Sequence, residues 1–190
     1  MLVYRVFFYS PTAKPGQSGH PDYLHKPQGR GRWDNADLYD SWYLARSPEG
    51  AIGETFGDLD RWTPTMFSTG MVGLQRALAT FSVPDDLAVF NFDDPTNLQR
   101  ISMRPSEVVI RNRPALQRRA AALFDETNLD GSRTWQALQW WSYHHPLWTN
   151  LMLWSTAASP APLTLKDITA LTVATPAVVD AAEVLRRPLK

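Results

Sequence analysis

Short apolar runs alternate with polar and proline-rich stretches along the chain, and their spacing predicts both strands and helices. Runs rich in aromatic and β-branched residues favour buried strands. The predicted strands are Leu2–Tyr9, Leu38–Ala45, Leu74–Val83, Leu87–Phe92 and Thr164–Thr172, with a turn at Pro84–Asp86 between the third and the fourth. The segment Trp135–Trp154 forms the aromatic-rich centre of the C-terminal half.

Helix signals stand between these strands. Ser47-Pro48-Glu49 offers an N-cap, a proline at the first helical position and an acidic residue in the first turn, so a helix is predicted to begin there. Apolar residues from Ala51 to Phe56 then fall at helical spacing toward the core, which leaves Glu54 beside the buried face. Further helices are predicted to start at Asp94–Leu98 and to span Pro114–Glu126 and Pro176–Arg187.

These elements together predict an α+β fold, a single mixed α/β domain spanning residues 1–190. A chain of 190 residues that is 44% hydrophobic can bury one substantial core. The stretch Ser10–Gly31 contains almost no apolar residues and is longer than loops of compact domains usually are. A loop of this length is typical of a segment that covers a site, and a lid is one role open to it.

Charge and cysteine content narrow the classes of function. Lys+Arg and Asp+Glu both total 19, so no overall field attracts nucleic acid or a membrane surface, and neither is expected as a partner. The absence of cysteine removes disulfides, thiolate metal sites and a thiol nucleophile. The N-terminus lacks the pattern of a signal peptide and no stretch is apolar enough to span a bilayer, so the expected location is the cytoplasm.

Three residues of different chemistry follow one another at equal spacing. Arg32, Tyr43 and Glu54 are each eleven positions apart, at a loop end, on a predicted strand and on the following helix. Such elements can converge on one pocket and supply a cation, an aromatic face and a carboxylate. The spacing alone leaves simpler roles open. An Arg beside a Trp often packs on the surface, a Tyr on a strand is often part of the core, and a Glu on a helix is often exposed to solvent.

Several ordered motifs add to this pattern. They are Tyr4-Arg5-Val6-Phe7, Gly31-Arg32-Trp33-Asp34-Asn35, Tyr43-Leu44-Ala45 with Ser47–Glu54, Arg104-Pro105-Ser106, and Trp141-Ser142 followed by Asn150–Trp154. The set resembles the RES-domain family, named for its Arg, Glu and Ser, whose members act as toxins of bacterial toxin–antitoxin pairs and degrade NAD. The resemblance implies a fold similar to the ADP-ribosyltransferases of the diphtheria-toxin type.

The same resemblance implies a site and a reaction. Arg32, Tyr43 and Glu54 would be the catalytic residues, while Arg32, Tyr43 and Ser142 would bind NAD, which is the substrate with no further cofactor. Glu54 would stabilise an oxocarbenium-like ribosyl centre, Arg32 would bind the pyrophosphate and Tyr43 would stack on the nicotinamide or ribose. Water or inorganic phosphate would trap the cation, giving hydrolysis or phosphorolysis. Arg30 competes with Arg32 as the key cation.

Two other functions stay open at this point. A protein ADP-ribosyltransferase would use the same scaffold, although arginine-directed members carry a carboxylate or amide two residues before the catalytic Glu, where this chain has Ile52. A catalytically silent NAD-binding protein would keep the motifs without turnover. No metal site is predicted at the adjacent His144 and His145, and no glycine-rich loop follows a strand, which disfavours a Rossmann-type NAD site.

The tryptophans raise the question of partners. Trp140, Trp141, Trp148 and Trp154 crowd one segment, and tryptophan is enriched at interfaces as well as in cores. Burial in the core is the simpler interpretation. Any of these tryptophans that is exposed would mark the surface of a homo-oligomer or the docking site of a protein partner. The family resemblance implies that such a partner is an Xre-type antitoxin that blocks the NAD pocket.

Overall fold

A seven-stranded mixed sheet organises the part of the chain that the computed structural model describes, residues 1–109 and 112–190. The strands are β1 Leu2–Tyr9, β2 Asp40–Ala45, β3 Gln75–Ser82, β4 Val89–Asn91, β5 Ala137–Trp141, β6 Thr149–Ser155 and β7 Thr164–Ala170. Their order across the sheet is β4-β5-β6-β2-β1-β3-β7. The pair β4–β5 is parallel and the other pairs are antiparallel.

Helices cover one side of this sheet and connect its strands. They are α1 Pro48–Phe56, α2 Pro95–Arg100, α3 Pro105–Val109, α4 Arg113–Phe124 and α5 Pro176–Val184, with a 3₁₀ turn at Pro64–Phe67. The mixed α/β class expected from the sequence is confirmed. No helix within residues 1–109 or 112–190 is long and apolar enough to cross a membrane.

The predicted strands and helices are present, with ends that are mostly shorter than expected. Helix α1 begins as predicted, because the Ser47 side chain accepts a hydrogen bond from the Gly50 N–H and Pro48 occupies the first turn. The sequence interpretation did not separate β5 and β6 within the Trp135–Trp154 segment. Both strands are buried on both faces, so they lack the polar–apolar alternation that makes a strand recognisable.

The predicted turn at Pro84–Asp86 is present between β3 and β4, although these two strands are not neighbours in the sheet. β3 lies near one edge of the sheet, whereas β4 is the opposite edge strand and pairs with β5. Phe90 and Phe92 of this segment are fully buried in one core cluster with Trp33. Phe92 stacks on Trp33, and Phe90 packs against Phe92. Burial of these two rings therefore outweighs the local pairing that a short turn would favour.

The sheet splits near its centre, between β1 and β2. β1 pairs with β3 along its whole length, but it meets β2 at the single pair Tyr4↔Ala45. The side-chain amide of Gln28 occupies the edge of β2 farther along, donating to the Ser41 carbonyl at 2.8 Å and accepting from the Ser41 N–H at 2.6 Å. The glutamine thus satisfies backbone groups that an adjacent strand would otherwise pair.

The long loop is fastened to the domain at its C-terminal end. The Gln117 side chain of α4 donates to the carbonyls of Gly29 and Gly31 at 3.1 and 3.0 Å, and Lys26 forms an ion pair with Asp40 at 2.8 Å. The residues that line the cavity in the split come from β1, β2, α1, β5 and β6, and none comes from residues 10–31. A lid role for this loop stays a prediction, since the loop does not line the cavity but its Tyr23 carbonyl accepts a hydrogen bond from Arg5, which does.

Candidate functional site

A cavity of about 270 Å³ opens where β1 and β2 diverge. Its walls come from both strands, from α1 and from the neighbouring strands β5 and β6. The lining residues are Tyr4, Arg5, Val6, Tyr43, Leu44, Ala45, Ala51, Glu54, Thr55, Trp140 and Asn150. A larger open groove of about 610 Å³ lies beside Phe124 and Trp154, but it contains none of the predicted site residues. The smaller cavity is therefore the candidate site.

Glu54 stands on the exposed side of α1 at the edge of this cavity. Its Oε1 accepts a hydrogen bond of 2.8 Å from the Nδ2 of Asn150, a buried residue of β6. The position of α1 is set on its other side, where Gly53 lies directly against the ring of Trp148. A carboxylate is thus held over an apolar cavity with one oxygen bonded and the rest of the group accessible.

Tyr43 lines the cavity with its ring and turns its hydroxyl into the protein. The hydroxyl donates to Asp34 Oδ1 at 2.8 Å and accepts from the Trp33 N–H at 2.9 Å. The other oxygen of Asp34 accepts from the N–H groups of Gly29 and Gly31 at 2.8 and 2.7 Å. Burial raises the pKa of Tyr43 well above its usual value, and the charge of Asp34 adds to the effect. Tyr43 is therefore a neutral donor that fastens the segment carrying Arg32.

Gly31 is required by this arrangement. A Cβ at that position would overlap the Tyr43 hydroxyl and the Asp34 carboxylate. The glycine of the Gly-Arg-Trp motif therefore allows the close approach of the loop to Tyr43.

Arg32 is half-buried behind the site and close enough to Glu54 for their charges to interact. One of its Nη atoms donates to the carbonyl of Val108 at the end of α3. Burial lowers the pKa of Arg32, while the charge of Glu54 opposes that shift. Arg32 does not itself line the cavity in this conformation. Arg30 is exposed and lines a separate surface depression with His25 and Asp34, so Arg32 is the nearer of the two competing cations.

A second cation, Arg5, lines the cavity and was not singled out by the sequence interpretation. It projects from β1, donates to the Tyr23 carbonyl at 3.2 Å and lies 5.0 Å from the centre of the Trp42 ring. Burial lowers its pKa to about 10, so the guanidinium is still charged near neutral pH. A charged residue inside the otherwise apolar run Leu2–Tyr9 was the signal available in the sequence.

The comparison with known families agrees with this geometry. Residues 2–184 match the family described as RES domain. The chain belongs to the RES-domain family. The fold of this RES domain is similar to that of a chain in the crystal structure of the M. tuberculosis MbcT–MbcA toxin–antitoxin complex, with a TM-score of 0.57. The two are 17% identical, over 97% of this chain and 88% of that chain. No curated protein matches the sequence.

Ser142 is the predicted site residue that the RES domain holds apart from the cavity. It lies buried at the end of β5, where its hydroxyl accepts from the His144 N–H at 3.0 Å and its own N–H donates to the Trp148 carbonyl at 2.7 Å. These bonds shape the tight loop between β5 and β6. The structure thus brings Glu54 and Tyr43 to the cavity and Arg32 close behind it, and it adds Arg5 and Asn150.

Two further observations bear on alternative chemistry. Ile52 is fully buried, so α1 presents no polar group to the cavity two residues before Glu54. In the described part of the chain, no three histidine, aspartate or glutamate side chains gather closely enough to hold a metal ion.

Proposed function

We propose that this RES-domain protein is the toxin of a toxin–antitoxin pair, and that it destroys NAD by breaking the bond between nicotinamide and ribose. The observation that carries the proposal is the accessible carboxylate of Glu54, held by Asn150 over a partly aromatic cavity with Arg5 and Arg32 nearby. Membership of the RES-domain family supports it.

One carboxylate suffices for this reaction. The nicotinamide of NAD is already cationic, so it leaves as a neutral base and takes the electron pair of the broken bond without needing a general acid. Positive charge then develops on the ribosyl carbon, and the ionised Glu54 stabilises that charge and binds a ribose hydroxyl. An oxygen of water or inorganic phosphate forms the new bond to the same carbon and loses its proton to solvent.

The cations and the aromatic residues have separate roles in this proposal. Arg5 in the cavity wall and Arg32 near Glu54 would bind the pyrophosphate, since guanidinium groups match phosphate oxygens in geometry and charge. The rings of Tyr43 and Trp140, whose centres are 6.2 Å apart at 84°, would form the wall against which the nicotinamide or ribose packs. Ser142 would act by shaping the loop that supports α1 through Trp148.

An antitoxin protein is proposed as the partner. The structural neighbour is named as a toxin–antitoxin complex, which supports a protein partner for this chain as well. On this chain, the loop between β5 and β6 packs against α1 and exposes Tyr143 and Leu147, the latter with 83% of its surface accessible. Large apolar side chains in such a position favour contact with another protein.

The direct test is to incubate the purified protein with NAD and measure free nicotinamide, with and without inorganic phosphate. We expect nicotinamide release, and its dependence on phosphate separates phosphorolysis from hydrolysis. A labelled acceptor protein in place of free ADP-ribose would instead establish an ADP-ribosyltransferase. That outcome is disfavoured for arginine acceptors by the buried Ile52. No nicotinamide release under any condition would contradict NAD cleavage, and binding of NAD without turnover would then show a silent binding protein.

A further inference from the structure

A row of paired residues crosses four strands at the closed end of the split. It consists of Tyr4 on β1, Ala45 on β2, Asn150 on β6 and Trp140 on β5. Directly paired residues project from the same face of a sheet, and all four line the cavity. Asn150, which is 4% exposed, therefore places a primary amide among two aromatic rings and a methyl group.

A buried amide in such surroundings needs a hydrogen-bond partner. The Nδ2 of Asn150 has Glu54 Oε1 as its acceptor at 2.8 Å, across 96 positions of sequence. Asn150 sits on an interior strand paired on both sides, whereas Glu54 is a flexible side chain on the exposed face of a helix. The rigid member of the pair therefore fixes the orientation of the mobile one.

On the basis of the proposed function, we infer that Asn150 is the positioning residue for Glu54. It binds Oε1 and leaves Oε2 to face the ribosyl carbon and a ribose hydroxyl. A neutral amide suits this task, because a lysine or arginine at the same place would orient the carboxylate but also neutralise the charge that the reaction needs. Asn150 itself does not touch the reacting atoms in this assignment.

Steady-state kinetics of the full chain test this role. We expect Asn150→Ala to lower kcat for nicotinamide release about tenfold or more while KM changes little, because a misplaced carboxylate weakens transition-state stabilisation and not substrate binding. Asn150→Asp keeps the shape of the side chain but replaces the donor with a second carboxylate, so it is expected to fold and to lose kcat as well. Asn97→Ala, which removes an amide bonded to the Asn91 carbonyl far from the cavity, is the matched control.

A double-mutant cycle separates positioning from general damage to the sheet. In a Glu54→Gln background, Asn150→Ala should cause little additional loss of turnover, measured with radiolabelled NAD. An unchanged kcat in Asn150→Ala, or an equal loss in both backgrounds, would overturn the assignment.

A second double-mutant cycle keeps this inference distinct from the proposed function. If the wild-type protein releases no nicotinamide, the proposed function fails, and urea unfolding of the wild type, Asn150→Ala, Glu54→Ala and the double variant then decides whether Asn150 holds Glu54, since Glu54→Ala removes the acceptor oxygen. Coupling between the two substitutions in unfolding free energy would support the pairing. Strict additivity would refute it.

Discussion

At the scale of single residues, the site combines charged groups with a largely apolar setting. Glu54 is accessible, whereas Arg5 and Arg32 are both buried enough for their pKa values to be lowered. Charges act more strongly in such surroundings than in water, because the local dielectric constant is lower. The chemistry of the site should therefore depend on a few side chains, each of which can be tested by a conservative substitution.

Replacement of Glu54 by Gln should lower the rate of nicotinamide release about a hundredfold or more, because the amide keeps the volume and hydrogen bonding but removes the charge facing the ribosyl cation. Circular dichroism and thermal melting should match the wild-type protein, since Glu54 is exposed on α1. A folded Glu54→Gln protein with near-normal activity would remove this carboxylate from the mechanism.

Replacement of Arg32 by Lys should weaken NAD turnover about tenfold, whereas Arg30→Lys should have little effect. A lysine keeps the charge but cannot bond the Val108 carbonyl and a phosphate oxygen with the planar fork of a guanidinium. Arg30 is exposed outside the cavity, so it is the natural control on the same loop. The opposite ranking in a nicotinamide-release assay would assign the phosphate-binding role to Arg30.

At the scale of elements, the position of α1 decides where Glu54 stands. The helix is capped by Ser47, packs on α5 through its buried residues and meets Trp148 at Gly53. The loop that carries Trp148 is in turn shaped by the hydrogen bonds of Ser142. Motifs that are separate along the chain thus form one connected support for a single carboxylate.

Gly53→Ala tests this support. A Cβ at Gly53 would overlap the Trp148 ring, so the helix must shift, and we expect a loss of about 1–3 kcal/mol in unfolding free energy. Activity should fall as well, since the next residue is Glu54. Gly50→Ala is the matched control on the same helix, where the added Cβ meets the Ser47 hydroxyl at 3.0 Å and only the Cβ of Trp148, at an ordinary contact distance of 3.6 Å. Equal stability of the two variants in urea unfolding would show that Trp148 does not constrain α1.

At the scale of the whole molecule, the cavity exists because the sheet is not continuous. β1 and β3 form one fully paired half, β2 and β6 belong to the other, and the two halves meet at Tyr4↔Ala45. Each strand that borders the split is paired with another strand on the side away from the cavity, β1 with β3 and β2 with β6. Binding at this place can therefore use rigid walls, with Glu54 held at their edge by Asn150.

Expression of the protein alone in a bacterial host should deplete cellular NAD and arrest growth, whereas the Glu54→Gln form should be harmless. Transfer to water or phosphate needs no macromolecular acceptor, so labelled NAD should leave no label on host proteins. The measurements are cellular NAD content, growth, and detection of labelled protein bands after gel electrophoresis. A labelled protein band with nearly constant NAD would favour the transferase. Co-expression of an antitoxin should restore growth.

Much of the fold was predictable from local pattern. Helix α1 was predicted at its starting residue because cap, proline and acidic first turn all act within a few positions. The strand β1 was predicted with its observed bounds because its composition is unambiguous. The buried strands β5 and β6 were not resolved, and no local pattern placed β3 and β4 on opposite sides of the sheet, since strand pairing depends on contacts distant in sequence.

The sequence by itself determined the RES-domain family, the mixed α/β class and the place of Glu54 on a short capped helix, because motifs and caps are local properties of the chain. Only the tertiary structure decided what surrounds that carboxylate. The split of the sheet, the place of Arg5 in the cavity wall and the bond from Asn150 join residues far apart in sequence. Such contacts follow from how buried strands and helices pack together, and no periodicity or spacing along the chain specifies them.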